Sequence, residues 1–387
     1  MSTLKVDGIR HNSATSDAIT MASDGTCTAK LTSVGGGGLS HRNLIINGGM
    51  SVSQRHSTSE TTPGHTDFGP DRMRFDLSQS SKFKVQQVTD APAGFSHSMK
   101  VTSLSAYSSG SSDYFLLQNM IEGTDSARLR WGTSEAQTIT LSFHVKSSLV
   151  GVHACGIRNN PYNRANTQTY TINNANTWER KTVTFTGDTS GSWNVDTNAG
   201  LKINFDLGSG SNFQAASTGT WLATNDFITT NSVKVVGTNA ATWYITGIQL
   251  EVGDTATSFE HRSITDELIR CQRYCYAAVA DGSIDNYAPL ANGRFYNASD
   301  AQFNIFFPVT MRYPPTLDSA TTAAGTFFYN TGGGFGGVEA TTIALNERAY
   351  NSATVYAQGA SGQTAGNGTT LYSHDTEVAK LVFTAEL

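Results

Sequence analysis

The side chains of this chain that could do chemistry are scattered. Glycoside hydrolysis needs two carboxyl groups roughly 5–10 Å apart, one a general acid and the other a base or nucleophile. Here Asp67, Asp71, Asp76, Asp113, Glu122, Asp125, Glu135, Asp188, Asp196, Asp206 and Asp226 stand singly, and no spacing selects a pair. Asp67 and Asp71 flank Phe68-Gly69-Pro70 and read as turn caps. The histidines show no HExxH or HxH spacing, and His41, His56 and His65 fall in loop-like text. There is no Gly-x-Ser-x-Gly elbow, Walker loop or Rossmann fingerprint. The run Gly332–Gly337 lacks the Lys-Ser/Thr and helix of a phosphate loop and reads as an exposed turn. The expectation is a protein that is not an enzyme.

Metal and cofactor sites are equally sparse. A structural calcium is the one cofactor left open, with Asp71, Asp206 or Glu251 supplying loop and strand-end oxygens, although no loop has the EF-hand pattern. Sugar binding asks instead for aromatic faces beside amides and carboxylates. Loop-like text offers Tyr107, Trp131, Tyr162, Trp193, Phe213 and Trp221, then Tyr287, Phe295, Phe328, Tyr329 and Phe335. Of these, Trp193, Trp221, Tyr162, Phe328, Tyr329 and Phe335 are the expected ligand contacts. For any one of them, packing is the competing explanation. Trp178 and Trp243 sit in strand-like text and are expected in the core.

The surroundings of these residues suggest a β-rich chain. Only 15% of residues are charged, while Ser, Thr, Asn and Gly abound. A net charge of −5 argues against a nucleic-acid partner, which would want a basic stripe. No apolar run approaches bilayer length, so no membrane insertion is expected, and no signal-peptide pattern is visible. The four cysteines, Cys27, Cys155, Cys271 and Cys275, lack zinc-ribbon spacing and are too few for a disulfide framework. A regular helix gives a poor i, i+4 disulfide, so Cys271 and Cys275 read as small buried side chains.

The elements follow from periodicity. Residues 1–34 contain Asp7-Gly8 and Asp24-Gly25, the second a hairpin signal between two short strands. Gly35–Gly38 is a joint, closing a leader and linker over 1–40. Residues 41–262 alternate in short strands, cleanly in Thr138–Ser147 and Lys181–Gly187, the pattern of an antiparallel jelly-roll sandwich. Asn43–Ile46 is expected to be its opening strand. Residues 263–276 have helical spacing, with Ser263 or Thr265 as cap and acidic Asp266 and Glu267 at the N-terminus. Leu268, Cys271 and Tyr274 form its apolar stripe, available for a trimer or a domain contact. Residues 277–387 read as a second β domain, with Asn330–Gly337 and Ser361–Thr370 as exposed loops. The fold class is therefore all-β: an extended anchor, a jelly-roll β-sandwich, a short connecting helix and a C-terminal β-sandwich.

Particular stretches carry a resemblance. "HRNLIINGGMSVSQR" at 41–55, "TLSFHVKSS" at 140–148, "TWERKTVTFTGDTSGSW" at 177–193 and "GIQLEVG…FEHRS…EL…CQRY" between 247 and 274 resemble bacteriophage tail-fibre and related virion proteins with a carbohydrate-binding-module-like jelly roll. "FPVTMRYPPTL" at 307–317 and the ending "AKLVFTAEL" resemble their distal domain. The resemblance implies a virion (tail) location after synthesis in the host cytoplasm and a homotrimer. It also implies attachment to phage tail proteins through residues 1–34, and recognition of a host surface glycan. A head fibre, capsid decoration or tail-tip part without its own ligand is the alternative, and a glycan depolymerase a more distant one.

Overall fold

Leu141, Phe143 and Val145 are wholly buried, while His144 between them points to the opposite face. That period of two defines a strand with one face in a core. The computed structural model describes residues 6–10, 12, 15, 17–23, 27–29, 41–318, 326–331, 337–374 and 378–387. Near the N-terminus, β1 (Gly8–Ile9), β2 (Ile19–Met21) and β3 (Cys27–Ala29) form a three-stranded antiparallel sheet. The expected hairpin is present as the β2–β3 pairing, with Met21 opposite Cys27. Its Asp24-Gly25 turn and the Gly35–Gly38 joint lie outside the described residues.

Ten strands follow. They are β4 (Arg74–Leu77), β5 (Phe83–Val88), β6 (Ser98–Ser103), β7 (Phe115–Glu122), β8 (Ile139–Ser147), β9 (Gly151–Asn159), β10 (Ala165–Ile172), β11 (Glu179–Phe185), β12 (Ala199–Asp206) and β13 (Thr242–Val252). A helical turn, α1 (Gly123–Ser126), follows β7. One sheet runs β10-β9-β12-β7-β4 and the other β11-β8-β13-β6-β5, packed face to face as a jelly-roll sandwich. Phe143 lies edge-on to both Tyr170 and Phe205, ring centroids 5.0 Å apart, which joins the two sheets. Each such ring contributes roughly 1.5–3 kcal/mol by leaving water.

The segment before β4 is held by side chains and by isolated backbone hydrogen bonds, such as Leu44 N to the Leu250 carbonyl at 2.9 Å and Ile248 N to the Gly48 carbonyl at 3.0 Å. Asn43–Ile46, expected to be a strand, is not one. Asn43 donates to the Ile248 carbonyl at 3.2 Å and accepts from Leu250 N at 3.0 Å, and its own N–H donates to Glu260 Oε2 at 2.7 Å. Arg262 donates to the Ile45 carbonyl at 3.0 Å. β13 bulges where this segment meets it, between Thr246 and Gln249. Gly247 takes φ +62 there, and a Cβ would lie 2.6 Å from the Phe95 ring.

The expected helix is shorter than its spacing suggests. α2 (Ile264–Gln272) starts on Ser263, whose hydroxyl accepts from Asp266 N at 3.1 Å, as expected. It stops at Gln272 because Cys275 and Tyr276 open β14 (Cys275–Asp281), opposite Thr384 and Phe383. Cys155, Cys271 and Cys275 are free and buried.

The remaining strands are β15 (Pro289–Phe295), β16 (Asp300–Phe306), β17 (Thr316–Leu317), β18 (Phe327–Tyr329), β19 (Val338–Glu339), β20 (Thr342–Arg348), β21 (Ser352–Gln358), β22 (Gly368–Ser373) and β23 (Val378–Thr384). They form a β14-β23-β17 sheet and a seven-stranded sheet, β19-β18-β22-β15-β16-β21-β20. Their apolar core, with Phe303, Phe327, Tyr329 and Leu381, is separate from that of the jelly roll. Gly368–Thr370, expected in a loop, belongs to β22.

Polar and charged side chains join the two sandwiches. Arg55 and Arg72 both pair with Glu386, Arg55 at 3.2 Å. Lys380 donates to the Gln54 carbonyl at 3.1 Å. Cys271 and Tyr274 are buried at this junction, where Arg72 lies 3.6 Å over the Tyr274 ring. Leu268 is half-buried on α2. Cys271 and Tyr274 therefore serve a contact within the chain.

Candidate ligand-binding site

Trp131, Trp193 and Trp221 come from three separate loops and meet edge-to-face at the sandwich end. Their ring centroids are 4.7, 5.1 and 5.4 Å apart. Each indole N–H is fixed by the protein: Trp131 on the Gln137 carbonyl at 2.8 Å, Trp221 on the Thr186 carbonyl at 2.8 Å and Trp193 on Asp188 Oδ2 at 3.1 Å. The rings are thus held in place without spending a ligand's hydrogen bonds. Trp131 is 8% exposed and forms the floor, while Trp193 and Trp221 are half-buried.

Asp188 organises this end. It is buried and accepts from Arg164 Nε at 2.9 Å as well as from the Trp193 indole. Gly191 lets the Trp193 loop close on Arg164, since a Cβ there would sit 2.7 Å from Arg164 Cγ. The result is a cavity of about 380 Å³ walled by Trp131, Trp193 and Leu201, with Asn194, Val195, Thr133 and an Arg130–Glu135 ion pair around it. An aromatic wall with an amide, a guanidinium and a carboxylate at the rim suits a polyhydroxylated ring.

Arg164 belongs to the β9–β10 turn, which also carries Tyr162. Asn159 ties this turn to the tryptophan loop by donating to the Ser192 carbonyl at 3.1 Å. On the turn's other side Tyr162 takes φ +58, and its ring lies over two cations of the adjoining sheet. Lys202 Nζ is 3.8 Å and Arg158 Cζ 4.9 Å from the ring centroid. Lys202 also donates to the Tyr162 hydroxyl at 2.6 Å. Arg158 donates to Asn225 Oδ1 at 2.6 Å and Asn204 Oδ1 at 2.9 Å, and Gln118 donates to Asn204 Oδ1 at 2.9 Å. Burial pushes Arg158 down to about 10, against Tyr162 and Asp76, and pushes Lys202 down to about 8, where Arg158 and Arg74 add to the effect.

The structure therefore brings Trp193, Trp221 and Tyr162 to one end of the jelly roll. The distal aromatics are placed differently. Phe328 and Tyr329 lie in β18, not in a loop. Tyr329 is 0% exposed, with its hydroxyl accepting from Ala360 N at 2.7 Å, so it has no face for a ligand. Phe328 stacks on His374 at 4.2 Å. Phe335 lies outside the described residues. Arg130, Asn194, Arg158, Lys202 and Asn204 are not among the residues the sequence points to, and Glu135 stands there only as an unpaired carboxylate. In β12, Lys202, Asn204 and Asp206 alternate with Leu201, Ile203 and Phe205, and such alternation ordinarily marks a solvent face. Here both faces of β12 are buried.

The three carboxylates considered for calcium are engaged by protein donors. Asp71 accepts from Gln54 N at 2.8 Å, Asp206 from Ser209 N at 2.9 Å and Glu251 from the Thr257 hydroxyl at 2.7 Å. Among the described residues, no group of three or more His, Cys, Asp and Glu side chains is arranged to hold a metal ion.

No family model matches the chain, and no curated protein matches it. Solved structures do. The enzymatically active domain of bacteriophage CBA120 tailspike protein 4 aligns at 12% identity and a TM-score of 0.29, over 55% of this chain and 21% of that one. A family 4 carbohydrate-binding module aligns at 16% identity and a TM-score of 0.27, over 54% of this chain and 99% of that one. The family 11 carbohydrate-binding module of a Clostridium thermocellum cellulosomal cellulase aligns at 12% identity and a TM-score of 0.27, over 52% and 98%. This chain thus spans about a fifth of the tailspike chain.

Proposed function

We propose that this chain is a non-enzymatic, fibre-type virion protein that recognises a host surface glycan through the end of its jelly roll. The observation that carries this reading is the cavity walled by Trp131 and Trp193 and rimmed by Arg130, Glu135 and Asn194. Its lining holds one carboxylate, Glu135, whereas glycoside hydrolysis needs two. In this reading residues 1–40 attach the protein to the tail, 41–262 bind the glycan, and 277–387 form the distal body. Assembly as a homotrimer would repeat the site three times, so that weak single-site binding suffices.

The test is binding of the labelled full-length protein to intact host cells before and after periodate oxidation of surface glycans. Loss of binding on oxidation, and an equal loss with Trp193→Ala, is the expected result. An assembled protein that binds neither surface would be a structural virion component without its own ligand.

A further inference from the structure

The seven-stranded sheet of the distal sandwich has one face in the core and one outside it. Phe295, Phe303 and Val355 are at most 2% exposed on the first. Alternation therefore turns Arg294, Gln302, Asn304 and Thr354 to the second. Register aligns them in two rows across the strands. Arg294 stands opposite Gln302, and Gln302 opposite Tyr356. Asn304 stands opposite Thr354, and Thr354 opposite Glu347. Glu347 reaches its row because β20 bulges between Leu345 and Glu347, which sets Asn346 beside it.

A polar outer face is ordinary for an antiparallel sheet. This one differs in two respects. It is hollow: Asn292, Arg294, Tyr296, Gln302, Asn304 and Glu347 line a cavity of about 780 Å³, about twice the volume of the tryptophan cavity. More than one sugar ring therefore fits. Its amides are also set in position. Asn292 Oδ1 accepts from the Thr370 hydroxyl at 3.0 Å and Asn304 Oδ1 from the Thr354 hydroxyl at 3.1 Å, which orients both amide NH2 groups and leaves them for a ligand. Among the described residues the side chains of Arg294, Gln302 and Glu347 have no hydrogen-bond or ion-pair partner. Tyr296, 61% exposed, adds an aromatic face.

An amide offers a donor and an acceptor together, as a sugar hydroxyl does. Arg294 on β15 and Glu347 on β20 stand three strand spacings apart, roughly 14 Å, and their charges balance. Neither an anionic nor a cationic ligand is favoured by that pair. A second copy of this chain fits less well, because the cores of protein interfaces are depleted in charged residues. We infer that this face binds a neutral oligosaccharide laid across β15, β16, β21 and β20, with Gln302 and Asn304 on its hydroxyls and Tyr296 against a ring. The site lies in a different sandwich from the tryptophan cavity and goes beyond the function proposed above.

The experiment presents the full-length protein and its Trp193→Ala variant to an array of neutral and uronic-acid oligosaccharides of increasing length. The Trp193→Ala variant should still bind neutral oligosaccharides, and should bind them better than monosaccharides. Adding Gln302→Ala, Asn304→Ala or Tyr296→Ala to it should weaken that binding about tenfold each. All three side chains lie outside the distal core, and thermal melts check that the variants fold. The site is overturned if nothing binds once Trp193 is replaced, if the three further substitutions leave the remaining binding unchanged, or if uronic acids are preferred. It is also overturned if Asn304→Arg dissociates an oligomer in sedimentation, since the face would then be a contact between copies. Wild-type binding that Trp193→Ala abolishes would remove this site and leave the jelly-roll reading standing. Array binding confined to the distal face, with cell binding untouched by Trp193→Ala, would do the reverse.

Discussion

Arg273, just past the end of α2, reaches Glu122 at the end of β7 with two parallel hydrogen bonds, Nε to Oε1 at 2.7 Å and Nη2 to Oε2 at 2.9 Å. The Tyr274 hydroxyl adds a third to Oε1 at 2.6 Å. Glu122 is 1% exposed, so the pair seats the connecting helix on the jelly roll and with it the start of the distal sandwich. The two partners are not equivalent. Removing Glu122 leaves a guanidinium that can turn to water, whereas removing Arg273 strands a buried carboxylate.

Arg273→Met should therefore cost about 2–4 kcal/mol, somewhat less than a broken fully buried pair, because Arg273 is partly solvated. Glu122→Gln should cost less, about 1–2 kcal/mol. Urea denaturation of the full chain reads both, and a larger loss for Glu122→Gln would contradict this account.

Acid should act through the same pair. Burial raises the Glu122 carboxyl, but the Arg273 and Tyr274 hydrogen bonds outweigh it and hold the group below its ordinary value of 4.5. Its contribution is complete above the unfolded-state value and is lost as pH falls through the lower folded value. The acid limb of a stability–pH profile should flatten in Glu122→Gln.

Aromatic substitutions should separate binding from packing. Trp193→Ala should weaken glycan binding about tenfold or more while changing stability by less than Trp131→Ala does. Trp131 and Tyr329 are buried, and their alanine variants should each cost about 3–5 kcal/mol. Thermal melts paired with cell-binding assays distinguish the two classes.

Lys202 offers a test of what a buried ammonium without an ion-pair partner among the described residues costs. Burial, then Arg158 and Arg74, push its ammonium down to about 8 from 10.5, so the folded state disfavours its charge. That cost is full below the folded value and is relieved as pH rises from about 8 toward the unfolded value. Lys202→Met should stabilise the protein at neutral pH by on the order of 1–3 kcal/mol, and by less at higher pH. A destabilised variant at pH 7 would mean that the ammonium is stabilised by its surroundings.

Deleting residues 1–34 should leave the two sandwiches folded, because their cores draw on residues 44–250 and 278–385. It should abolish incorporation into virions. Incorporation of the truncated protein would show that the leader is not the anchor.

Sequence alone determined the strands whose apolar residues alternate, such as β5, β8 and β12, because a period of two with one apolar face has one low-energy solution. It also placed the Ser263 cap, a local interaction. It did not decide where the helix ends, because Cys271, Tyr274 and Cys275 are apolar at a spacing that fits a helix or a helix followed by a strand. Pairing of Cys275 with Thr384, more than a hundred residues away, settled that. Tyr329 read as a loop aromatic beside glycines until β22 paired with it. The tryptophan cavity and the Lys202–Arg158 face are tertiary in the same sense. Their residues are spread from Gln118 to Trp221, and only the sheet order brings them together. Lys202 and Arg158 are adjacent cations because β12 pairs with β9, and that pairing is not written in local sequence.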